Sequence, residues 1–200
     1  GVYLPQGHHV TLESSRRGDS ANIGGIGGAQ CVAVVDSGGS VQTGKWLAYE
    51  IKERIDKPVC YLINTHVHFD HVLGNAAFSD PKLKLVAHPN FAGALIDSSE
   101  FFSDKFASEV DGGVLPHEID GSRVPVDRKI AIDLGNRKLT VEAHRAAHSR
   151  TDVTIFDEAT NTLWAGDLLF RERMPVLDGS LVGWIDWMET VIDKTYSLVI

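Results

Sequence analysis

The sequence predicts an α+β fold in which β-sheets are covered by helices. Three observations indicate it: a β-helix-β unit over residues 31–65, two strand hairpins in the second half, and an amphipathic helix that starts near residue 180. Sheets with apolar faces need other elements to cover them, so these pieces fit layers of sheet and helix. The 200 residues, 43% of them hydrophobic, are enough to bury such a core, and we expect one domain over residues 1–200.

The first half alternates between strand and helix patterns. CVAVVDSG (31–38) is a β-branched apolar run typical of a strand buried on both faces, GKWLAYEIKERI (44–55) has apolar residues at helical spacing, and PVCYLINT (58–65) returns to strand. Such a unit makes its two strands parallel, so Asp36 and the segment after the second strand should emerge side by side. VLGNAAF (72–78) then predicts a helix, KLKLVAHP (82–89) a strand, and residues 91–110 a helix broken by serines.

The remaining elements are a glycine-rich stretch, two hairpins and a closing helix. NIGGIGG (22–28) lies before a strand rather than between a strand and a helix, which disfavours a phosphate loop and predicts a bend or bulge in a strand. KIAIDLGNRKLTVEAH (129–144) and DVTIFDEATNTLWAGD (152–167) predict hairpins. In the closing helix, from about Ser180 to Tyr196, the residues expected to face the core are 181, 184, 185, 188, 191, 192 and 195/196.

Composition excludes several classes of partner. A net charge of −8 and a pI near 5.5 argue against nucleic acid, whose phosphates are neutralised by clustered Lys and Arg, and favour a small-molecule partner. No run approaches the ~20 apolar residues of a membrane span, and the sequence shows no charged-then-apolar secretory leader, although its start at Gly1 is compatible with a leader that has been removed. Two cysteines, Cys31 and Cys60, are too few for a disulfide scaffold, so we expect both to be small buried residues.

LINTHVHFDHVLGN (62–75) places three histidines and an aspartate within six positions after a strand. Imidazole suits zinc and iron, carboxylate adds a harder ligand, and a tight loop can aim alternate residues at one point. His66 and His68 should face one way, while Asp70 and His71 could face a second ion. His148, between two predicted strands, and Asp167, at the end of a strand, are the further candidates for this centre; polar loop residues at a helix start are the poorer explanation.

The chain resembles the metallo-β-lactamase-like hydrolases over about residues 18–200. The residues that carry the resemblance are THVHFDH (65–71), AHSRTD (147–152) in place of the usual His-Thr-x-Gly, AGDLLF (165–170) and VVDSG (34–38). INTHVHFDHVLGNAAF (63–78) and MPVLDGSLVGWIDWMETV (174–191) look most like the SoxH-related, or quinoprotein relay system, zinc metallohydrolases. That branch implies a periplasmic or secreted protein, although a cytoplasmic one also fits.

The resemblance implies a four-layer αββα sandwich with a binuclear metal site at one edge of the sheets. His66, His68 and His148 would bind the first metal, and Asp70, His71 and Asp167 the second, with Asp167 bridging. The true β-lactamases usually have a cysteine where Asp167 stands, which favours the glyoxalase II-like branches. The family also supplies a further second-metal histidine after a strand inside which this chain stops, at SLVI (197–200). Either the second site is short of one ligand or, as we expect, the sequence is truncated before the last C-terminal strand and helix.

The resemblance implies hydrolysis of an ester, thioester or lactam-type carbonyl by a zinc-bound hydroxide. Asp70 would orient this hydroxide or shuttle its proton. Two zinc ions are expected with a complete C-terminus, and iron is possible. One alternative is a mononuclear iron oxygenase of the persulfide dioxygenase kind. The other is a non-catalytic metal-binding accessory protein of a quinoprotein or sulfur oxidation system.

Other polar residues have two explanations each. Arg171, Arg173 and Asp178 follow Asp167 and could bind substrate, the arginines through an anionic group, or they could pair with surface charges instead. We expect structural roles for His88 and His144, although His88 could also reach the edge of the site. The remaining histidines lie in polar or irregular sequence and are expected to be solvated: His8, His9 and His117.

Overall fold

The chain folds into two β-sheets with helices on their outer faces. A computed structural model describes residues 1–5, 7, 20–106, 123–171 and 174–200. The predictions for His8, His9, His117 and Arg173 fall outside the described residues. Among these residues, no helix combines the length and apolar character needed to cross a membrane.

The first sheet has six strands in sequence order. It contains β1 (Val2–Tyr3), β2 (Gly24–Gly27), β3 (Val32–Val35), β4 (Val59–Ile63), β5 (Lys84–Ala87) and β6 (Arg123–Pro125). Strands β1 to β3 pair antiparallel, whereas β3 to β6 pair parallel. The predicted β-helix-β unit is therefore confirmed, and the carboxyl ends of β3 and β4 lie at one edge.

The second sheet is formed by the two predicted hairpins and the last residues of the chain. It contains β7 (Lys129–Asp133), β8 (Lys138–Ala143), β9 (Val153–Asp157), β10 (Thr162–Trp164) and β11 (Leu198–Val199), in the order β11-β10-β9-β8-β7. The β7–β8 turn closes through Gly135 and Asn136, both with positive φ, which is the backbone that a tight hairpin requires. Strand β11 pairs parallel to β10.

In the part of the chain that the structure describes, five α-helices connect and cover the sheets. They are α1 (Val41–Ile55), α2 (Phe69–Val72), α3 (Phe91–Asp97), α4 (Ser99–Lys105) and α5 (Leu181–Val191). The Ser40 hydroxyl caps α1 by accepting a hydrogen bond from the Thr43 amide at 3.0 Å. A 3₁₀ turn over Leu73–Ala77 continues α2, and Ser98 separates α3 from α4 as the serines predicted.

Side-chain alternation along the strands produces three apolar layers. In β3, Val32 and Val34 pack with the helices α1 to α4, while Ala33 and Val35 face the second sheet. A third cluster lies on the outer face of the second sheet, where Trp184 and Trp187 of α5 pack on Leu163. The order of layers is thus helix, sheet, sheet, helix, which confirms the αββα sandwich.

The glycine-rich stretch forms the regular strand β2, so the predicted bend or bulge is wrong. Its residues pair with β3 without a shift in register. Close packing explains the glycines: a Cβ on Gly24 would lie 2.9 Å from the Trp164 ring, and one on Gly27 would lie 2.7 Å from Ile55. The small residues therefore allow α1 and the second sheet to approach this strand closely.

The closing helix is shorter than predicted and buries only part of the predicted face. It ends at Val191, so residues 192–196 are not part of it. The predicted core position Trp184 is buried against the second sheet together with Trp187, which was not predicted, whereas the predicted core positions Leu181, Ile185 and Met188 are exposed. The two large aromatic side chains bury more area than the aliphatic stripe would, and they set the rotation of the helix.

A buried ion pair links the two sheets. Arg137 pairs with the Asp157 carboxylate at the end of β9, and its Nη1 donates to the carbonyls of Gly1 and Gly27 at 3.1 Å each. Burial by itself raises the pKa of Asp157, but the hydrogen bond and charge of Arg137 outweigh it and hold that pKa below its usual value. Since both side chains are buried, each charge depends on the other.

We predict that Arg137→Met lowers the free energy of unfolding by about 3–5 kcal/mol at pH 7, because it leaves the Asp157 carboxylate buried without its partner. Urea unfolding measures this. If the uncompensated Asp157 charge causes the loss, the double variant Arg137→Met/Asp157→Asn should recover much of the free energy of unfolding. A loss in the double variant equal to that in Arg137→Met would contradict this cause.

The same pair predicts a pH dependence. The folded-state pKa of Asp157 lies below its unfolded value of about 3.9, so its contribution is complete above that value and is lost as the pH falls through the folded pKa. The stability difference between the native protein and Asp157→Asn should therefore shrink below about pH 4. A difference that stays constant down to pH 2 would contradict this.

Candidate metal centre

The polar side chains meet where the parallel strands end. Asp36 follows β3, and the loop after β4 returns beside it, as the β-helix-β unit predicted. The Asp36 carboxylate accepts hydrogen bonds from the Thr65 amide at 2.8 Å, from the Thr65 hydroxyl at 2.7 Å and from His71 Nδ1 at 2.8 Å. Asp36 therefore fixes the start of the loop that carries His66 and His68.

Three histidines and one aspartate converge at the first group of donor atoms. His66 Nε2 lies 3.1 Å from His68 Nδ1, and His148 Nε2 lies 2.9 Å from the same atom. With a carboxylate oxygen of Asp167, these donor atoms all lie within 4.8 Å of one another, an arrangement that could hold a metal ion. Residues 80 positions apart in the sequence thus meet as the motifs predicted.

A second group of donors lies beside the first. His71 Nε2 is 3.3 Å from Asp167 Oδ1 and 3.9 Å from Asp70 Oδ1, while Asp167 Oδ2 is 3.5 Å from His148 Nε2. His71 is buried, and its Nε2 has no hydrogen bond of acceptable geometry to any residue that the structure describes. An orphaned buried nitrogen facing two carboxylates is the arrangement expected of a metal ligand.

Hydrogen bonds to the outward nitrogens determine which nitrogen of each ring faces the cluster. The Thr65 hydroxyl donates to Asp36, so it accepts from His66 Nδ1 at 3.0 Å. His148 Nδ1 donates to the Val176 carbonyl at 2.8 Å, and His68 Nε2 donates to Asp178 Oδ2 at 3.2 Å. Each of these rings therefore turns an unprotonated nitrogen inward, which is how bound histidines are oriented in metal sites.

The spacing and protonation of the rings also fit a cation. Ligand nitrogens bound tetrahedrally to zinc at ~2.0–2.1 Å lie ~3.3 Å apart, close to the 2.9 and 3.1 Å between these nitrogens. Burial lowers the pKa of His148 to about 4, and burial with the neighbouring histidines lowers that of His66, so both stay neutral and keep a free lone pair.

The carboxylates favour positive charge at the second group. Burial by itself lowers the pKa of His71, but Asp36, Asp70 and Asp167 outweigh it and hold this pKa well above its usual value. Burial likewise raises the pKa of Asp167, but His71 reverses the shift and keeps the carboxylate ionised. The field that attracts a proton to this position also attracts a metal cation.

A buried carboxylate that the sequence analysis did not assign holds the loop around His148. Asp152 accepts from the Ser149 amide at 2.9 Å, the Ser149 hydroxyl at 2.6 Å and the Ala147 amide at 3.3 Å. Burial raises the pKa of Asp152 to about 6 despite these bonds. Its place four residues after His148 is the only signal that the sequence offered.

Glycine is required beside Asp167. Gly166 has a φ of +54°, and a Cβ there would lie 2.8 Å from the Thr65 Cβ. A side chain would therefore push the Asp167 turn away from the histidine loop. This requirement explains the Gly-Asp pair in AGDLLF.

The predicted substrate residues lie in different environments. Arg171 lines a cavity of about 480 Å³ together with Asp70, His71 and Asp167. Asp178 contacts His68 instead, and its side chain is mostly exposed. A direct contact of Arg171 or Asp178 with substrate stays a prediction.

Of the histidines that the structure describes, two lie outside the cluster of donors. His144 Nε2 is 2.8 Å from the Thr154 hydroxyl, and His88 Nδ1 accepts from the Asn90 amide at 3.1 Å. Both side chains thus have local partners, in agreement with the structural roles expected for them.

Comparisons with known proteins agree with this fold. The Metallo-beta-lactamase superfamily model matches residues 16–200. Similar solved structures include a metallo-beta-lactamase from Pontibacter korlensis (17% identity, TM-score 0.70, 100% of this chain and 85% of the other) and one from Hirschia baltica (17%, 0.69, 100% and 85%). An archaeal metallo-beta-lactamase superfamily protein from Sulfolobus tokodaii is also similar (16%, 0.72, 100% and 78%).

The comparisons resolve the family but not the branch. No protein with a curated description matches the chain. Structural likeness at 16–17% identity shows the fold alone, so the SoxH-related resemblance stays a prediction. Since the family model covers nearly the whole chain and the fold agrees, the protein belongs to the metallo-β-lactamase superfamily.

Proposed function

We propose that this protein is a zinc-dependent hydrolase that cleaves an ester, thioester or lactam-type carbonyl. The observation that carries the proposal is the convergence of inward-facing nitrogens and carboxylates at the edge of the sheets. Soft-to-borderline imidazole and hard carboxylate ligands together suit zinc. The superfamily consists largely of hydrolases, which supports the same reaction class.

Two ions fit the donors better than one. His66, His68 and His148 would hold the first, and Asp70, His71 and Asp167 the second. Asp167 suits a bridging role because its Oδ2 faces His148 and its Oδ1 faces His71. The orphaned His71 Nε2 supports the second ion, since a single ion among the first three histidines would leave it without a partner.

Zinc at this centre would lower the pKa of a coordinated water toward about 7 and polarise the substrate carbonyl. Asp70 is the residue best placed to handle the proton. Its Oδ2 accepts a hydrogen bond from the Ser20 hydroxyl at 2.8 Å, its Oδ1 faces His71, and its side chain is partly exposed. A carboxylate between the donors and solvent can orient a water molecule and pass its proton outward.

We predict that His68→Ala and His148→Ala each remove turnover on ester, thioester and lactam substrates and reduce bound metal. Each variant deletes an inward-facing nitrogen, and the remaining donors no longer surround one point. Elemental analysis of the purified proteins measures the metal per chain. The matched control is His144→Ala, which removes a histidine outside the cluster and should retain the metal.

The same measurement on the native protein distinguishes the alternatives. About two zinc ions per chain are expected. One iron per chain, with sulfite released from a glutathione persulfide, would replace the hydrolase with an oxygenase. Metal-loaded protein inactive on every ester, thioester and lactam would instead favour a metal-binding accessory protein, and a native protein without any metal would overturn the centre itself.

We further predict that Asp178→Ala weakens zinc binding by about 10- to 100-fold, because the acceptor that orients His68 Nε2 is lost. Competition with a chromophoric chelator measures the affinity. Asp186→Ala, which removes an exposed carboxylate from α5, is the control for the change in net charge. Equal affinities of the two variants would contradict a role for Asp178 in holding His68.

A further inference from the structure

An exposed apolar segment follows the Asp167 turn. Met174, Val176 and Leu177 are 91, 62 and 50% exposed. Apolar side chains scattered over a surface need no explanation, but three within four residues form a local apolar surface. We name residues 174–178 the MPVLD segment.

Hydrogen bonds hold this segment against the metal ligands. The Val176 carbonyl accepts from His148 Nδ1 at 2.8 Å, and Asp178 contacts both histidines, through its amide to the His148 carbonyl at 2.9 Å and through its carboxylate to His68 Nε2 at 3.2 Å. The backbone that carries Met174, Val176 and Leu177 is thus anchored beside the ligand histidines, while these three side chains stay open to solvent.

A second group of apolar residues lines the cavity at the second group of donors. Leu169 is 54% exposed and, with Phe170, lines the cavity that also contains Asp70, His71 and Asp167. Exposed apolar side chains therefore adjoin the donors both in this cavity and along the MPVLD segment. A molecule whose carbonyl reaches the donors can contact these side chains.

We propose that the substrate carries an apolar acyl or aryl group next to its scissile carbonyl, and that Met174, Val176, Leu177 and Leu169 bind this group. The inference rests on the proposed function, whose substrate class it narrows. The position of the segment on the ligand histidines argues for a substrate as the occupant, because any group held there lies within reach of the reacting centre. An apolar chain buried on these side chains gains up to about fourfold in binding per methylene.

The test is a chain-length series. Zinc-loaded protein is assayed on p-nitrophenyl esters from acetate to decanoate, and kcat/KM should rise about two- to fourfold per methylene until the chain outgrows the surface. In the double variant Met174→Ser/Leu177→Ser, kcat/KM should rise less steeply with chain length. Its deficit relative to the native protein should therefore be larger for longer esters. Ile192→Ser removes an equally exposed apolar side chain at the end of α5 and should leave the slope unchanged.

A binding measurement without turnover separates this inference from the proposed function. Calorimetry with acetate, hexanoate and decanoate should show tighter binding of the longer acids, with a negative heat-capacity change that the double variant reduces. Chain-length-dependent binding by a metal-loaded protein that is inactive on every ester, thioester and lactam would refute the hydrolase and keep the apolar site. The apolar site would be overturned if neither kcat/KM nor affinity depended on chain length. It would also be overturned if this dependence were equally steep in the native protein and the double variant.

Discussion

The structure depends on holding buried imidazoles and carboxylates together at one edge of the sheets. His66, His71 and His148 are almost fully buried, and the inward nitrogens of His66 and His148 carry no proton to share. Polar groups are costly to bury without partners, so this cluster is stable only if a cation completes it or if every outward atom is satisfied. The outward hydrogen bonds to Asp36, Thr65 and Val176 meet the second condition, and a metal would meet the first.

A network of small polar side chains supports the loop from behind. Asn75 donates to Asn64 at 2.7 Å, the Ser37 hydroxyl donates to Asn75 at 2.6 Å, and the Ser37 amide donates to the His71 carbonyl at 2.9 Å. Because these groups satisfy one another in the interior, they define one position for the loop rather than several. The parallel arrangement of β3 and β4 makes this possible, since it brings both strand ends to the same network.

Local patterns in the sequence were sufficient for most of the fold and for the donors. The β-helix-β unit and both hairpins are confirmed, because short β-branched runs and turn residues act over a few positions. The four αββα layers, which the family resemblance implied, are confirmed as well. The burial of α5 was predicted only in part: Trp184 was expected in the core, but Trp187 was not, since the helix has apolar residues on two faces and only contact with the sheet selects the buried ones. The hydrogen bond from His68 to Asp178 spans 110 positions, which no local pattern can indicate. The periplasmic location and the C-terminal truncation stay predictions.

The MPVLD segment separates two tasks between backbone and side chains. It holds His148 through the Val176 carbonyl, an acceptor that any residue at that position would supply. Side chains at 174, 176 and 177 can therefore change without loss of this contact, whereas Asp178 acts through its carboxylate and cannot. Under the proposed function, the preference for one acyl group over another would vary at the first three positions while the orientation of the metal ligands is kept. Specificity and metal binding would then depend on neighbouring residues but on different atoms, so one could change without damage to the other.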